Sequence, residues 1–255
     1  MTGQPLPSDG ELVLHGRIMP ASNATFLGEI DDIKVVYKPV AGERPLWDFP
    51  DGTLADREVA AYAVSQATGW DVVPPTWMGD GPHGIGMLQL WQEPDPDQEA
   101  VTLVRAGVLP EGYLAVFEGV DDRDRDVALI HEDTAPLRRM AVFDVIVNNA
   151  DRKGGHVLAM TDGHRYGVDH GVALHHEPKL RTVLWGWGGQ ALTDDEVAVV
   201  QAVRKALTAA LGETLATHLT DLEIGALDRR CARLVQAGCL PATRGEWPSI
   251  PWPPF

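Results

Sequence analysis

Cysteine is almost absent from this sequence: of 255 residues, only Cys231 and Cys239 carry thiols. Both fall in or beside a predicted C-terminal helix, where the helical rise between them is about 12 Å, too far for a disulfide. A disulfide-built scaffold is excluded, and two reduced, inert thiols fit a cytosolic setting. Long apolar runs are missing too. No stretch approaches the roughly 20 residues that span a bilayer. The opening from Met1 to Gly16 is polar and holds Pro and Gly, without the basic start and apolar centre of a secretory signal. The expectation is a cytoplasmic protein with no stable membrane association. Positive charge is scarce, with 21 Lys+Arg against 37 Asp+Glu and a formal net charge of −16. Such a surface repels DNA and anionic headgroups, so no nucleic-acid partner is expected, although a local basic patch can still hold a phosphate.

What is present is an ordinary globular composition, 44% hydrophobic and 23% charged, long enough for one large domain or two small lobes. The acidic, proline-broken stretch Gln92-Glu93-Pro94-Asp95-Pro96-Asp97 is the best boundary signal. It divides a strand-rich unit, residues 1–92, from a more helical one, residues 93–255. In the first, residues 11–19 and 26–30 read as a hairpin and Ile33 to Lys38 as a strand. Asp56 to Thr68 reads as a helix stopped by Gly69, and strands are expected near Val72-Val73 and from Gly86 to Trp91. In the second, Thr134 to Asn148 carries Leu137, Ala141, Val142, Val145 and Ile146 at helical spacing. Thr193 to Glu196 resembles a capping box opening one or two helices to Leu219. Leu222 to Ala237 is a further helix, and the tail from Pro241 is expected to be extended.

Two segments place polar residues where a core wants apolar ones. Val145 to Leu158 runs from an apolar helix through Asp151, Arg152, Lys153, two glycines and His156 into an apolar strand. Tyr166 to Leu174 sets Asp169-His170-Gly171 after a short strand. Eighteen residues separate Asp151 from Asp169, enough for a β-hairpin that returns the second beside the first. Each segment alone also reads as a simple turn. Together, two carboxylates at adjoining loop ends suit phosphoryl transfer, one orienting and deprotonating a hydroxyl, the other holding a metal.

Asp151-Arg152-x-x-x-His156 followed by Asp169-His170-Gly171 resembles the catalytic and metal loops of the phosphatidylinositol 3-/4-kinase-like family, most closely the type II 4-kinases. HipA-type kinases share that architecture. Upstream, Val36-Tyr37-Lys38-Pro39 is similar to the family's ATP-lysine strand. Arg57-Glu58-Val59-Ala60-Ala61-Tyr62 resembles its partner-glutamate helix, Val72 to Thr76 the strand that follows, and Gln89-Leu90-Trp91 the start of its hinge. The resemblance spans about residues 35–174 and implies an α+β, protein-kinase-like fold of two lobes. It implies ATP as cofactor with Mg²⁺ or Mn²⁺, and a hydroxyl-bearing acceptor that is a protein or small molecule rather than a lipid. Lys38 would neutralise the α/β-phosphates and Glu58 would fix its ammonium. The turn from Ala21 to Thr25, with Asn23 and Thr25, would lie over the phosphates. Gln89, Leu90 and Trp91 would hold adenine, Asp151 and Arg152 would form the catalytic pair, and Asp169 and His156 would bind metal.

His156 departs from the family, which has asparagine there. Imidazole is a poor Mg²⁺ ligand and suits softer ions such as Mn²⁺. The departure implies an altered metal preference, a single-metal site or weakened catalysis. Three other readings stay open: a pseudokinase-type nucleotide- or partner-binding module, transfer of AMP instead of phosphate, and a metal-dependent hydrolase. The last rests on His156, His164, His170, His175 and His176, although no His-Glu-x-x-His pair is present.

Overall fold

The computed structural model describes residues 10–19, 23–50, 52–243 and 249–255. Its first unit is an antiparallel sheet of β1 (Val13–Arg17), β2 (Phe26–Ile30), β3 (Ile33–Pro39), β4 (Thr76–Gly81) and β5 (Gly84–Leu90), in the order β1-β2-β3-β5-β4. Period-2 alternation in β3 buries Val35 and Tyr37 on one face, against Leu12, Ile30, Leu88 and Leu90. Lys34, Val36 and Lys38 fall on the other. Of the expected turn at residues 21–25, Ala21 and Ser22 lie outside the described residues.

Between β3 and β4 runs α1 (Leu54–Thr68). Thr53 caps it by accepting from the Asp56 N–H, and Gly69 ends it in the left-handed region at φ 67°, where glycine is unstrained. The strand expected at Val72-Val73 does not form. Both valines are buried in irregular chain, where the Val73 N–H donates to Ser65 Oγ and the Val72 carbonyl accepts from Gly167. Pro74 and Pro75 follow, with no N–H to give a ladder, so the strand starts at Thr76.

Beyond residue 92 the chain does not turn helical at once. A second antiparallel sheet comes first, with β8 (Asp126–Glu132) between β6 (Val101–Arg105) and β7 (Tyr113–Val120). Then α2 (Ala135–Val147) follows Thr134 and stops at Asn148, left-handed at φ 54°. Two short strands, β9 (Val157–Ala159) and β10 (Arg165–Gly167), form a hairpin. The remaining helices are α3 (Asp194–Leu207), α4 (Ala210–Leu215) and α5 (Asp221–Ala237), with capping boxes at Thr193/Glu196 and Thr220/Glu223.

The main core joins the units. Ala60, Ala61 and Val64 of α1 pack in one cluster with Leu137, Met140, Phe143 and Ile146 of α2, Val200 and Val203 of α3, and Leu227 and Cys231 of α5. Cys231 and Cys239 are both free thiols. The tail is docked on the body: the Pro254 carbonyl accepts from the Gly154 N–H, and that of Ser249 from the Thr182 N–H. Among the described residues, no helix is long and apolar enough to cross a membrane.

Candidate active site

Lys38 projects from β3 toward α1 and the β9–β10 hairpin. Its ammonium lies 2.7 Å from Glu58 Oε1 and 2.7 Å from Asp169 Oδ1. Glu58 is buried, and its second oxygen accepts from the His170 N–H at 2.8 Å. One carboxylate thus fixes both the lysine and the backbone just after Asp169. Burial opposes charge on Lys38, but Asp169 and Glu58 outweigh it and hold the ammonium protonated beyond its usual range. The Lys38 charge, against the cost of burial, pushes the Asp169 carboxyl well below the ordinary carboxylate range. Asp169 sits at φ 62°, a sparsely populated conformation of the kind that clusters at functional sites.

The hairpin brings the other loop to the same place. His156 Nε2 lies 3.4 Å from Asp169 Oδ2, and its Nδ1 lies 3.0 Å from the Asp151 carbonyl oxygen. A carbonyl only accepts, so Nδ1 carries the hydrogen and the Nε2 lone pair faces the Asp169 carboxylate. Burial lowers the His156 pKa, which keeps the ring neutral. One nitrogen and one carboxylate oxygen therefore converge at 3.4 Å. Imidazole nitrogen and carboxylate oxygen are donors of the kind a divalent cation takes. Among the described residues, no group of three or more His, Cys, Asp or Glu side chains is disposed to hold a metal. The other histidines disperse: His164 binds the Asp71 carbonyl, His170 contacts Arg152, and His175 receives the Glu177 N–H.

Asp151 is held by its own loop. Its N–H donates to Asn149 Oδ1, and Lys153 Nζ stands 3.5 Å from Asp151 Oδ2. Burial raises the Asp151 pKa, with Lys153, His156 and Arg181 pulling the other way. Arg152, paired with Asp151 by resemblance, is instead fully buried. Its guanidinium grips Asp144 in a fork at 2.9 and 2.8 Å and reaches the His156 and Val168 carbonyls. It ties the two loops together from behind, as a positioning residue.

A cleft of about 460 Å³ opens on these groups, lined by Asn23, Lys38, Glu58, Asp151 and Asp169 among others. Asn23 Oδ1 accepts from the Arg44 N–H, and the buried Thr25 bonds the Asn23 carbonyl. Gln89, Leu90 and Trp91 do not line that cleft. Gln89 is buried against Thr76, while the Leu90 and Trp91 N–H groups donate to the Pro75 and Lys34 carbonyls. No motif assigned a role to Lys153, although its charge two residues after Asp151 is a signal for one. Arg181 also lines the cleft, and no local motif marks it.

No protein-family model matches the chain. Protein Rv2133c of Mycobacterium tuberculosis (strain ATCC 25618 / H37Rv) is 51% identical over 261 aligned positions, covering 97% of this chain and 94% of that protein. The chain belongs to the family of Rv2133c. Among solved structures, a Golgi casein kinase aligns over 90% of this chain and 71% of its own, with a TM-score of 0.54 and 15% identity. The Helicobacter pylori proinflammatory kinase CtkA aligns over 90% and 93%, with a TM-score of 0.49 and 10% identity. The Golgi enzyme establishes the fold of the Rv2133c-family chain: α+β, protein-kinase-like, with an antiparallel sheet before a helical C-terminal part.

Proposed function

We propose that this protein is an ATP-dependent phosphotransferase whose acceptor is a hydroxyl group. The observation that carries the reading is the double ion pair of Lys38 with Glu58 and Asp169, facing the same cleft as Asp151. In this reading residues 1–92 and 93–255 are the two lobes, and the triphosphate enters along Lys38. Asp169 and His156 would hold a divalent ion, which would supply charge neutralisation to the phosphates. Asp151 accepts the acceptor's hydroxyl proton while the oxygen bonds to the γ-phosphorus. The bond from that phosphorus to the bridging oxygen breaks, and ADP leaves with the electron pair. Lys153 is placed to offset charge on the group in transit. With the Leu90 and Trp91 N–H groups already engaged, adenine contacts are assigned to the chain beyond Trp91.

A lipid acceptor is the less favoured choice, since the formal net charge of −16 opposes anionic membranes. The test separates binding from turnover. Asp151→Asn is expected to bind ATP as the wild type does while losing phosphate transfer by about 10²-fold or more. Undiminished transfer by that variant would overturn the assignment.

A further inference from the structure

One side of the cleft is not accounted for by nucleotide or metal. It is walled by Arg44, Leu46, Asp48, Phe49 and Arg181, and three observations show that this wall is built. The Phe49 ring packs 5.0 Å from the Arg57 guanidinium and 5.0 Å from the His175 ring. Asp48 pairs with Lys179 at 3.3 Å. The Arg181 backbone is bonded on both sides to the catalytic loop, its N–H to the Asn149 carbonyl and its carbonyl to the Arg152 N–H.

Charge is what this wall leaves unbalanced. The Glu43 carboxylate is occupied by the Leu54 and Ala55 N–H groups, Asp48 by Lys179, and Asp151 faces Lys153. Among the described residues no acid pairs with Arg44 or Arg181, and Arg181 Nε is buried without a hydrogen-bond partner. Arg181 acts on Asp151 through its charge, yet neither it nor Arg44 makes an ion pair among the described residues, and both line one pocket beside Asp151. Guanidinium forks match the oxygens of a phosphate, and two of them suit a dianion. Leu46 and Phe49 give the same pocket an apolar side, and its volume suits a compact ligand.

We propose that this side of the cleft is the acceptor subsite, and that it takes a small alcohol bearing a phosphate group, gripped by Arg181 and Arg44. The fate of the hydroxyl rests on the phosphotransferase reading, whereas the anion pocket stands on its own geometry. The first test is calorimetric titration of inorganic phosphate into the full chain, with and without Mn²⁺ and a non-hydrolysable ATP analogue. Wild type, Arg181→Gln, Arg44→Gln and Lys38→Met are compared. Phosphate affinity is expected to fall about 10-fold or more in Arg181→Gln, less in Arg44→Gln, and to return in part in Arg181→Lys. The Arg181→Gln variant should melt no lower than wild type, since no partner is lost, and should keep its affinity for the analogue. Equal phosphate affinity in wild type and Arg181→Gln, or loss confined to Lys38→Met, overturns the subsite. Failure of the analogue to bind counts against the phosphotransferase reading alone, because the nucleotide-free titration still reads the pocket. The second test compares glycerol 3-phosphate with glycerol as acceptors. Preference for the phosphorylated alcohol, with KM raised in Arg181→Gln, is expected. Equal use of both, or transfer to a peptide or to phosphatidylinositol vesicles that ignores Arg181, overturns the proposal.

Discussion

Arg57 and Glu223 form a buried ion pair at 2.5 Å, both side chains 2% exposed, joining the helix that carries Glu58 to the last helix of the chain. Arg57 also donates to the Ala173 carbonyl, just beyond the Asp169 loop. The helix bearing the lysine's partner is thereby anchored to the C-terminal part, and its Glu58 is held toward Lys38. Removing the Glu223 carboxylate costs the buried Arg57 guanidinium this ion pair. Glu223→Gln is therefore expected to lower unfolding free energy by about 3–5 kcal/mol. The double change Arg57→Met/Glu223→Met should recover much of that loss. Urea denaturation of the three variants measures it.

Gly154 lies between Asp151 and His156, with the Phe255 ring directly over its α-carbon, so an added Cβ would run into the ring. Gly154→Ala is expected to lift the tail from the catalytic loop and to cost about 1–3 kcal/mol. Limited proteolysis should then cleave near residue 250 faster than in the wild type.

The fold was legible in the sequence where signals are local. Gly69 marks the end of α1, which begins at Leu54, two residues before the expected Asp56, and Thr193 with Glu196 marks the start of α3. The sheet from Val101 to Glu132 was not anticipated. Its signals were there in the β-branched run Val101-Thr102-Leu103-Val104 and the turn-forming Asp121 to Asp124, but they followed a boundary that favoured helices. The convergence of Lys38, Glu58, Asp151 and Asp169 was readable from the order of motifs along the chain. The burial of Arg152 and the place of Arg181 in the cleft were not, because each depends on neighbours brought together only by the fold.

Stability should fall in mild acid. His131 and His170 are wholly buried, and burial pushes the pKa of each below the ordinary 6.5. The unfolded chain takes up protons as pH drops through about 6.5, while the native state does not. Each histidine therefore removes about 1.4 kcal/mol of stability per pH unit, from pH 6.5 down to its own depressed native value. In His131→Gln the fall in stability just below pH 6.5 should be shallower than in the wild type, as read from urea midpoints on either side of that pH.

The lone pair that His156 directs at Asp169 predicts a metal preference. Nucleotide affinity in the wild type should be higher with Mn²⁺ than with Mg²⁺. His156→Asn should shift that ratio toward Mg²⁺ by about 10-fold, because an amide oxygen replaces the nitrogen. An unchanged ratio would remove His156 from the metal site.

The most direct test of the metal–nucleotide cleft is calorimetric titration of ATP, with Mg²⁺ and separately Mn²⁺, into wild type and Asp169→Ala. Metal-dependent binding is expected in the wild type and its loss in the variant, because in the proposed reading Asp169 would be the principal ligand of the divalent ion. Absence of binding with either metal, or equal binding in Asp169→Ala, would contradict it.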